Sequence, residues 1–409
     1  MRIRTSRATW GPTGRVRNVP SNTFPVRPSS SLLFAAALLS LAACNTDSKP
    51  DKPEKVAVAA PPAVPTSESA KSLVAVASSD TIWNGVAVSD DNRKFVVFPH
   101  NEGNRGTRIG ELQADGTVQA FPNRAWNSWG PKDPAAASKF VRANSLRFGP
   151  DGYLWVVDTG TPKSDAKPVP HGPKLLAFDI RNNQLVKSIP LDQYAKDKSF
   201  VDDLRFHGDM IYVTDAGAPG LIVLNQKTGQ GRRLLDDDTT TTARRPMRAE
   251  GKRMMKPNGD DVALHADQME VSPDGKYYYF QSAAGPMYRV ETQYLDDPNI
   301  TSDALAKKVT YFFNSPTTGG TAIDAAGNLY VTDANEKRIL KVTPTGQSSV
   351  LVQDPRLIWA DALWIDHTGN LWIPAAQINR TAGQQKGVQT VAFPVQLFKM
   401  PIGAQPFRD

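Results

Sequence analysis

Asp202-Asp203-Leu204-Arg205-Phe206, a turn through Gly208-Asp209, and then Met210-Ile211-Tyr212-Val213-Thr214-Asp215 form the stretch that decides the fold. Polar and apolar residues alternate on both sides of the turn, which is the period of half-buried strands, and Gly-Asp closes a tight antiparallel hairpin. The same frame recurs along the chain. Asn84-Gly-Val-Ala-Val precedes Lys94-Phe-Val-Val-Phe; Asn144-Ser-Leu-Arg-Phe precedes Tyr153-Leu-Trp-Val-Val-Asp158; Asp267-Gln-Met-Glu-Val precedes Lys276-Tyr-Tyr-Tyr-Phe. Gly319-Gly-Thr-Ala-Ile precedes Asn328-Leu-Tyr-Val-Thr-Asp333, and Asp361-Ala-Leu-Trp-Ile precedes Asn370-Leu-Trp-Ile-Pro374. The leading positions are spaced by 60, 58, 65, 52 and 42 residues, each enough for four short antiparallel strands. A third strand often follows, as in Lys174-Leu-Leu-Ala-Phe-Asp179 or Arg338-Ile-Leu-Lys-Val342. One four-stranded sheet cannot bury both its faces, so six of them packed radially predict an all-β, six-bladed β-propeller.

The N-terminus reads differently. Of the formal net charge of +7, six charges are the arginines of residues 1–43, a segment without a single acid. The remaining chain is close to neutral, so the basic balance gives no argument for nucleic-acid binding. An apolar run from Ser31 to Leu41 follows those arginines, too short for a permanent membrane span. It ends in Leu41-Ala42-Ala43-Cys44, which resembles a bacterial lipoprotein box. Residues 1–43 are expected as a lipoprotein signal, Cys44 as the lipidated first residue of the mature chain, and 44–71, rich in Pro and Ala, as a flexible tether. The propeller is expected over 72–409, extracytoplasmic and anchored to a bacterial membrane on its periplasmic or cell-surface side. Cys44 is the only cysteine, so neither an intramolecular disulfide nor a thiolate zinc site can form.

Propeller geometry selects the candidate site. The inner strand of each blade starts at one face beside the axis, so Asn84, Asn144, Asp202, Asp267, Gly319 and Asp361 form a ring. Loops carrying Asp158, Asp215, Asp333, His100 and His171 emerge on the same face, and His265 precedes its ring position by two residues. His207 and His367 fall at the opposite end. Converging carboxylates repel unless protons or a cation neutralise them. Oxygen-only donors suit a hard cation such as Ca²⁺, with Asn144, Asp202, Asp267 and Asp361 as candidate ligands, and the alternative is that each residue caps its own strand and binds channel water. Asp202, Asp267 and His265 are the candidate acid–base groups. Asn84, Asn144, Asp361 and the aromatics Trp83 and Trp359, with Trp364, are candidate ligand contacts. Trp155 and Trp372 sit inside strand patterns and are expected in the core.

Gln230 to Asp261 carries eight bases with acids such as Asp236, Asp237, Asp238 and Glu250 interleaved, and is expected as a solvated loop between blades. No Walker loop, dinucleotide fingerprint or Gly-x-Ser-x-Gly elbow occurs, which disfavours nucleotide-dependent and serine-hydrolase chemistry.

Leu154-Trp-Val-Val-Asp158-Thr-Gly, Pro173-Lys-Leu-Leu-Ala-Phe-Asp179, Asp202-Asp203-Leu, Pro219-Gly-Leu-Ile-Val223, Val271-Ser-Pro-Asp-Gly275, Met287-Tyr-Arg-Val-Glu-Thr292 and Trp359-Ala-Asp361 occur in an order that resembles the Yellow and major royal jelly protein family. The resemblance spans about Ile82 to Trp372. It implies a secreted six-bladed propeller with a small molecule in the central channel. Insect members are linked to dopachrome conversion, amine binding or nutritive roles, and the cysteines usual in them are absent here. The Ser-Pro-Asp-Gly and Leu-Tyr-Val-Thr-Asp frames are also similar to gluconolactonase-type propellers. That second resemblance implies a Ca²⁺-dependent lactonase, but Asn84 stands where those enzymes present Glu. The expected function is small-molecule binding with dopachrome-type isomerase activity; the alternatives are a Ca²⁺-dependent lactonase and a non-enzymatic surface scaffold. Beyond the ligand and the membrane, no nucleic-acid partner is expected, and the chain is expected as a monomer.

Overall fold

The computed structural model describes residues 67–101 and 106–407. Cys44 and the signal lie outside the described residues. Six four-stranded antiparallel sheets form the blades of the expected propeller. Their inner strands are Gly85–Val88, Ala143–Phe148, Val201–His207, Ala266–Val271, Thr321–Ile323 and Trp364–Ile365, so every frame found in the sequence opens a blade.

Five blades are contiguous in sequence, and the sixth closes the ring. Its inner, second and third strands are Trp364–Ile365, Asn370–Ala375 and Val395–Pro401; its outermost strand is Val74–Ser79 from the start of the domain. Pairing Ala75 with Phe398 and Ser79 with Val395 joins the two ends of the domain through backbone hydrogen bonds, which leaves no open seam in the ring. Ser67 to Ser72, at the end of the segment read as a tether, lies against this closure. Ser67 N donates to Gln353 O, Ser69 Oγ donates to Leu351 O, and Ala70 is buried among Leu357, Leu363 and Phe398.

The core consists of the interfaces between blades. Leu154–Thr159 is buried at every position, whereas the outer strand Gln184–Pro190 of the same blade is mostly exposed. A strand in the middle of a blade packs against neighbouring blades on both faces, and this explains why its alternation gives way to a continuous apolar run. Trp155 and Trp372 are core residues as expected; each indole N–H reaches an aspartate in the preceding turn, Asp151 and Asp366 respectively.

Asp158, Asp215 and Asp333 share a structural task at the ends of second strands. Asp158 is fully buried and accepts the N–H groups of Val141, Arg142 and Gly160 and the ammonium of Lys174. Asp215 does the same for Phe200, Gly217 and Ala218 and pairs with Arg233. Asp158 and Asp215 thus tie the approach to the inner strands of their blades, while Asp333 closes its turn through the Asn335 and Glu336 N–H groups and Arg338.

Candidate functional site

The structure brings the ring together. Asn84, Asn144, Asp202, Asp267 and Asp361 line one cavity of about 730 Å³ on the propeller axis. A relay of amides runs round its floor. Asn84 Nδ2 donates to Asn144 O at 3.2 Å, and Asn144 Nδ2 donates to Asp202 Oδ1 at 2.6 Å. Asp202 is hydrogen-bonded in turn to Asp267. Each step crosses from one blade to the next, so the relay exists only because the inner strands start level with one another.

Burial raises the Asp202 carboxyl to about 7, with the charges of Asp203 and Asp215 adding to it, although Asp267 and Asn144 oppose by hydrogen bonding. Asp267 is pushed well above the usual carboxylate range, first by burial and then by the neighbouring Asp202. Asp361 is raised by the same two causes. Burial and mutual repulsion thus both favour the protonated form of the Asp202–Asp267 pair. Trp359 Nε1 donates to Asp361 Oδ2 at 3.1 Å and the Ala362 N–H donates to Oδ1, so this third acid is held by protein donors.

Below the acids, the channel is filled by an ion network that the sequence did not announce. Arg205 lies between Asp203, at 2.6 Å, and Glu270, which it holds through two bonds of 2.8 and 2.7 Å. Arg147 reaches Asp203 at 3.0 Å, and Thr321 Oγ1 donates to Glu270. Burial opposes ionisation of Asp203, but Arg147 and Arg205 outweigh it and hold this carboxyl far below its ordinary range. Two adjacent aspartates thus shift in opposite directions: the arginines push Asp203 down, and burial pushes Asp202 up.

Several expectations need correction. Trp83 is not a channel residue. It is completely buried beside Phe98, with its indole N–H directed to Gln396 O, because its side chain turns away from the axis into the blade interface. Trp364 is likewise buried, against Phe148, with its N–H on Val88 O. Trp359 does line the cavity; its backbone has φ of 48°. His265 lines the cavity too, but its Nδ1 accepts the Ala243 N–H at 3.1 Å. With that lone pair used and burial lowering its pKa, the ring is neutral and offers Nε2–H as a donor, not a base.

The stretch Gln230 to Asp261 is not a solvated loop. A small hairpin, Arg248–Ala249 with Lys252–Arg253, is pinned by Met247 and Met254, which are buried beside Trp359 and Ile378. Glu250 holds it to the rest of the domain through Arg380, Lys337 and Asn379. Lys256, Pro257 and Val262 from this cap line the cavity. Methionines at sequence positions 247 and 254 amid the bases were the available sign that this stretch buries a face.

Sequence reasoning also missed Arg142, Gln268 and Ser164. Gln268 Nε2 donates to Asp267 Oδ1 and to Thr318 O, which orients the acid. Arg142 lies just before the inner strand Ala143–Phe148, two positions ahead of Asn144, and both line the cavity.

A six-bladed propeller with polar residues converging on an axial cavity is a class that hosts both binders and enzymes. Within that class the chain belongs to the family described as Major royal jelly protein, whose sequence pattern matches residues 150–405. Major royal jelly protein 7 of Apis mellifera is 27% identical over 218 residues, which cover 49% of this chain and 45% of the relative. The chain therefore spans about half the length of that curated relative. Among solved structures, a gluconolactonase from Xanthomonas campestris superposes with a TM-score of 0.51 at 14% identity, covering 84% of this chain and 99% of its own. A luciferin-regenerating enzyme superposes equally well, 0.51 at 11% identity, covering 82% and 97%. These two likenesses are likenesses of fold.

Proposed function

We propose that this chain is an extracytoplasmic propeller, held at a bacterial membrane by lipid on Cys44, that binds a small molecule in its central channel and moves a proton on it. The observation that carries this reading is the buried Asp202–Asp267 pair, hydrogen-bonded to each other in the wall of a cavity of about 730 Å³, where burial raises both carboxyls. A tautomerisation needs one group to give a proton to one ligand atom and another to take a proton from a second atom, with no net change. One carboxyl of the pair supplies the first proton and the ionised partner accepts the second. Their unequal surroundings support this division: Asp202 is bound by Asn144, whereas Asp267 is bound by Gln268 and is the more open to the cavity. The test is the rate of dopachrome rearrangement by the purified full chain, followed by loss of its visible absorption. Asp267→Asn is expected to lower the rate by at least about a hundredfold, the scale of general acid–base catalysis. A wild-type rate no greater than that of Asp202→Asn and Asp267→Asn would sink it.

One observation favours a second reading, a Ca²⁺-dependent lactonase. Asn84 Oδ1 is buried in the ring without a hydrogen-bond partner among the described residues, and the ring beside it carries the carboxylates of Asp202 and Asp267. Asn84, Asn144, Asp202 and Asp267 would hold the cation, which when bound would polarise a lactone carbonyl. Asp361, expected among the ligands, has both oxygens engaged by Trp359 and Ala362. Among the described residues no three His, Cys, Asp or Glu side chains gather closely enough to hold a metal, so the amide oxygens would have to complete the set. Elemental analysis and a thermal melt with and without EDTA separate the two readings.

A further inference from the structure

Arg142 is a buried cavity-lining cation that no ion pair among the described residues neutralises. Its side chain is 2% exposed, yet no carboxylate among the described residues lies within salt-bridge distance. Its Nε has no hydrogen-bond partner, and Nη1 reaches only the Ser164 hydroxyl at a long 3.5 Å. The guanidinium lies over the Phe200 ring, 4.7 Å from its centre, which fixes its plane without satisfying its N–H groups. The contrast within the same channel is sharp. Arg147 and Arg205 are bound to Asp203 and Glu270. Nearby Asp158, the acid best placed to neutralise Arg142 from behind, is spent on Lys174 and three backbone N–H groups. Burial accordingly lowers the Arg142 pKa to about 10, and the group remains a cation at any physiological pH.

A buried guanidinium with unused donors has lost its hydration without replacement unless something completes it. An oxyanion does so with two parallel N–H···O bonds. We propose that Arg142, with Ser164 beside it, is the anion-anchoring subsite of the central cavity, and that the ligand is an organic acid whose carboxylate docks there. This deepens the proton-transfer reading, because it assigns the two ends of one ligand. The carboxylate is held at Arg142, and the part that exchanges protons extends to Asp202 and Asp267, which line the same cavity. An amine lacking a carboxylate would satisfy the acids and leave Arg142 bare.

The experiment is isothermal titration of the purified full chain with matched pairs: 3,4-dihydroxyphenylacetate, 3,4-dihydroxyphenylalanine and gluconate, each against its primary amide, and with inorganic phosphate alone. At least one carboxylate is expected to bind about tenfold or more tightly than its amide. Arg142→Met is expected to erase that preference, and Arg142→Lys, which keeps the charge but not the fork, to reduce it. Both variants are checked by thermal melt, and the lysine variant decides if the methionine variant does not fold. The proposal is overturned if no carboxylate outdoes its amide, if the preference survives both substitutions, or if phosphate alone binds through Arg142 as tightly as any carboxylate. The wild-type chain separates the two readings: a carboxylate preference without any dopachrome turnover leaves this subsite standing and removes the proton-transfer reading, and turnover without the preference does the reverse.

Discussion

Asn144 donates its side-chain amide to Asp202 Oδ1 across 2.6 Å, from one blade to the next. The bond occupies one oxygen of Asp202, and the same carboxyl is hydrogen-bonded to Asp267, so three successive blades meet at this one acid.

The acids of the ring make stability fall as pH rises. A carboxyl whose pKa is higher in the folded than in the unfolded chain binds more protons when folded, so its contribution is full below the unfolded value and is lost as pH rises through the folded one. For Asp202 that window runs from 3.8 to about 7. Urea unfolding at about pH 5 and about pH 8 should show the wild type losing stability over this interval, and Asp202→Asn losing about 1–2 kcal/mol less. Equal slopes for the two proteins would mean that Asp202 is already ionised at the lower pH.

The cap obeys the opposite sign. Burial opposes ionisation of Glu250, but Arg380 and then Asn379 and Lys337 overcome it and depress the carboxyl from 4.5 to about 2. Its contribution is present above the unfolded value and disappears as pH falls from 4.5 towards 2. Glu250→Ala at neutral pH should therefore cost about 1–3 kcal/mol, the range for charged hydrogen bonds with little exposure. The loss should be local. Amide exchange should accelerate at Met254 and Met255, whose N–H groups bond Met247 O and Gln384 O, while the Asn84–Ala362 contact between inner strands stays protected. Uniform acceleration through all six blades would contradict the assignment of Glu250 to the cap.

The blades were legible in the sequence because strand period and turn chemistry are local, and Asp202-Asp203-Leu204-Arg205-Phe206 carries both within five residues. The ring followed from the blades, since its members all hold the same place in the frame. Direction of side chains was less accessible. Trp83 and Trp359 both neighbour ring positions, but only the left-handed backbone of Trp359 accompanies a ring on the cavity wall, and a sequence does not display φ. The split between Asp202 and Asp203 was hidden for a related reason. The pairing register breaks between Val201 and Leu204, across both residues; one carboxyl meets Asn144 and Asp267 and the other Arg147 and Arg205, and all of these partners except Arg205 come from other blades. The cap was misread because its bases dominate the composition, whereas Met247 and Met254 determine its packing.

The channel network offers the most direct test of how the blades are held in register. Arg205 from the third blade bonds Glu270 from the fourth by two N–H groups, and Arg147 from the second reaches Asp203 in the third. Removing the central cation strands two buried acids, and such losses cost about 3–5 kcal/mol because the charges left behind are uncompensated. Arg205→Met should fall in that range by urea unfolding. Asp203 keeps Arg147, so the larger part of the penalty should sit on Glu270, which retains only Thr321. Adding Glu270→Gln to Arg205→Met should then recover about 1–2 kcal/mol, since a neutral amide needs no counter-charge. If the double variant is no more stable than the single one, the penalty lies in lost packing of the arginine stem, and the network is not what fixes the third blade against the fourth.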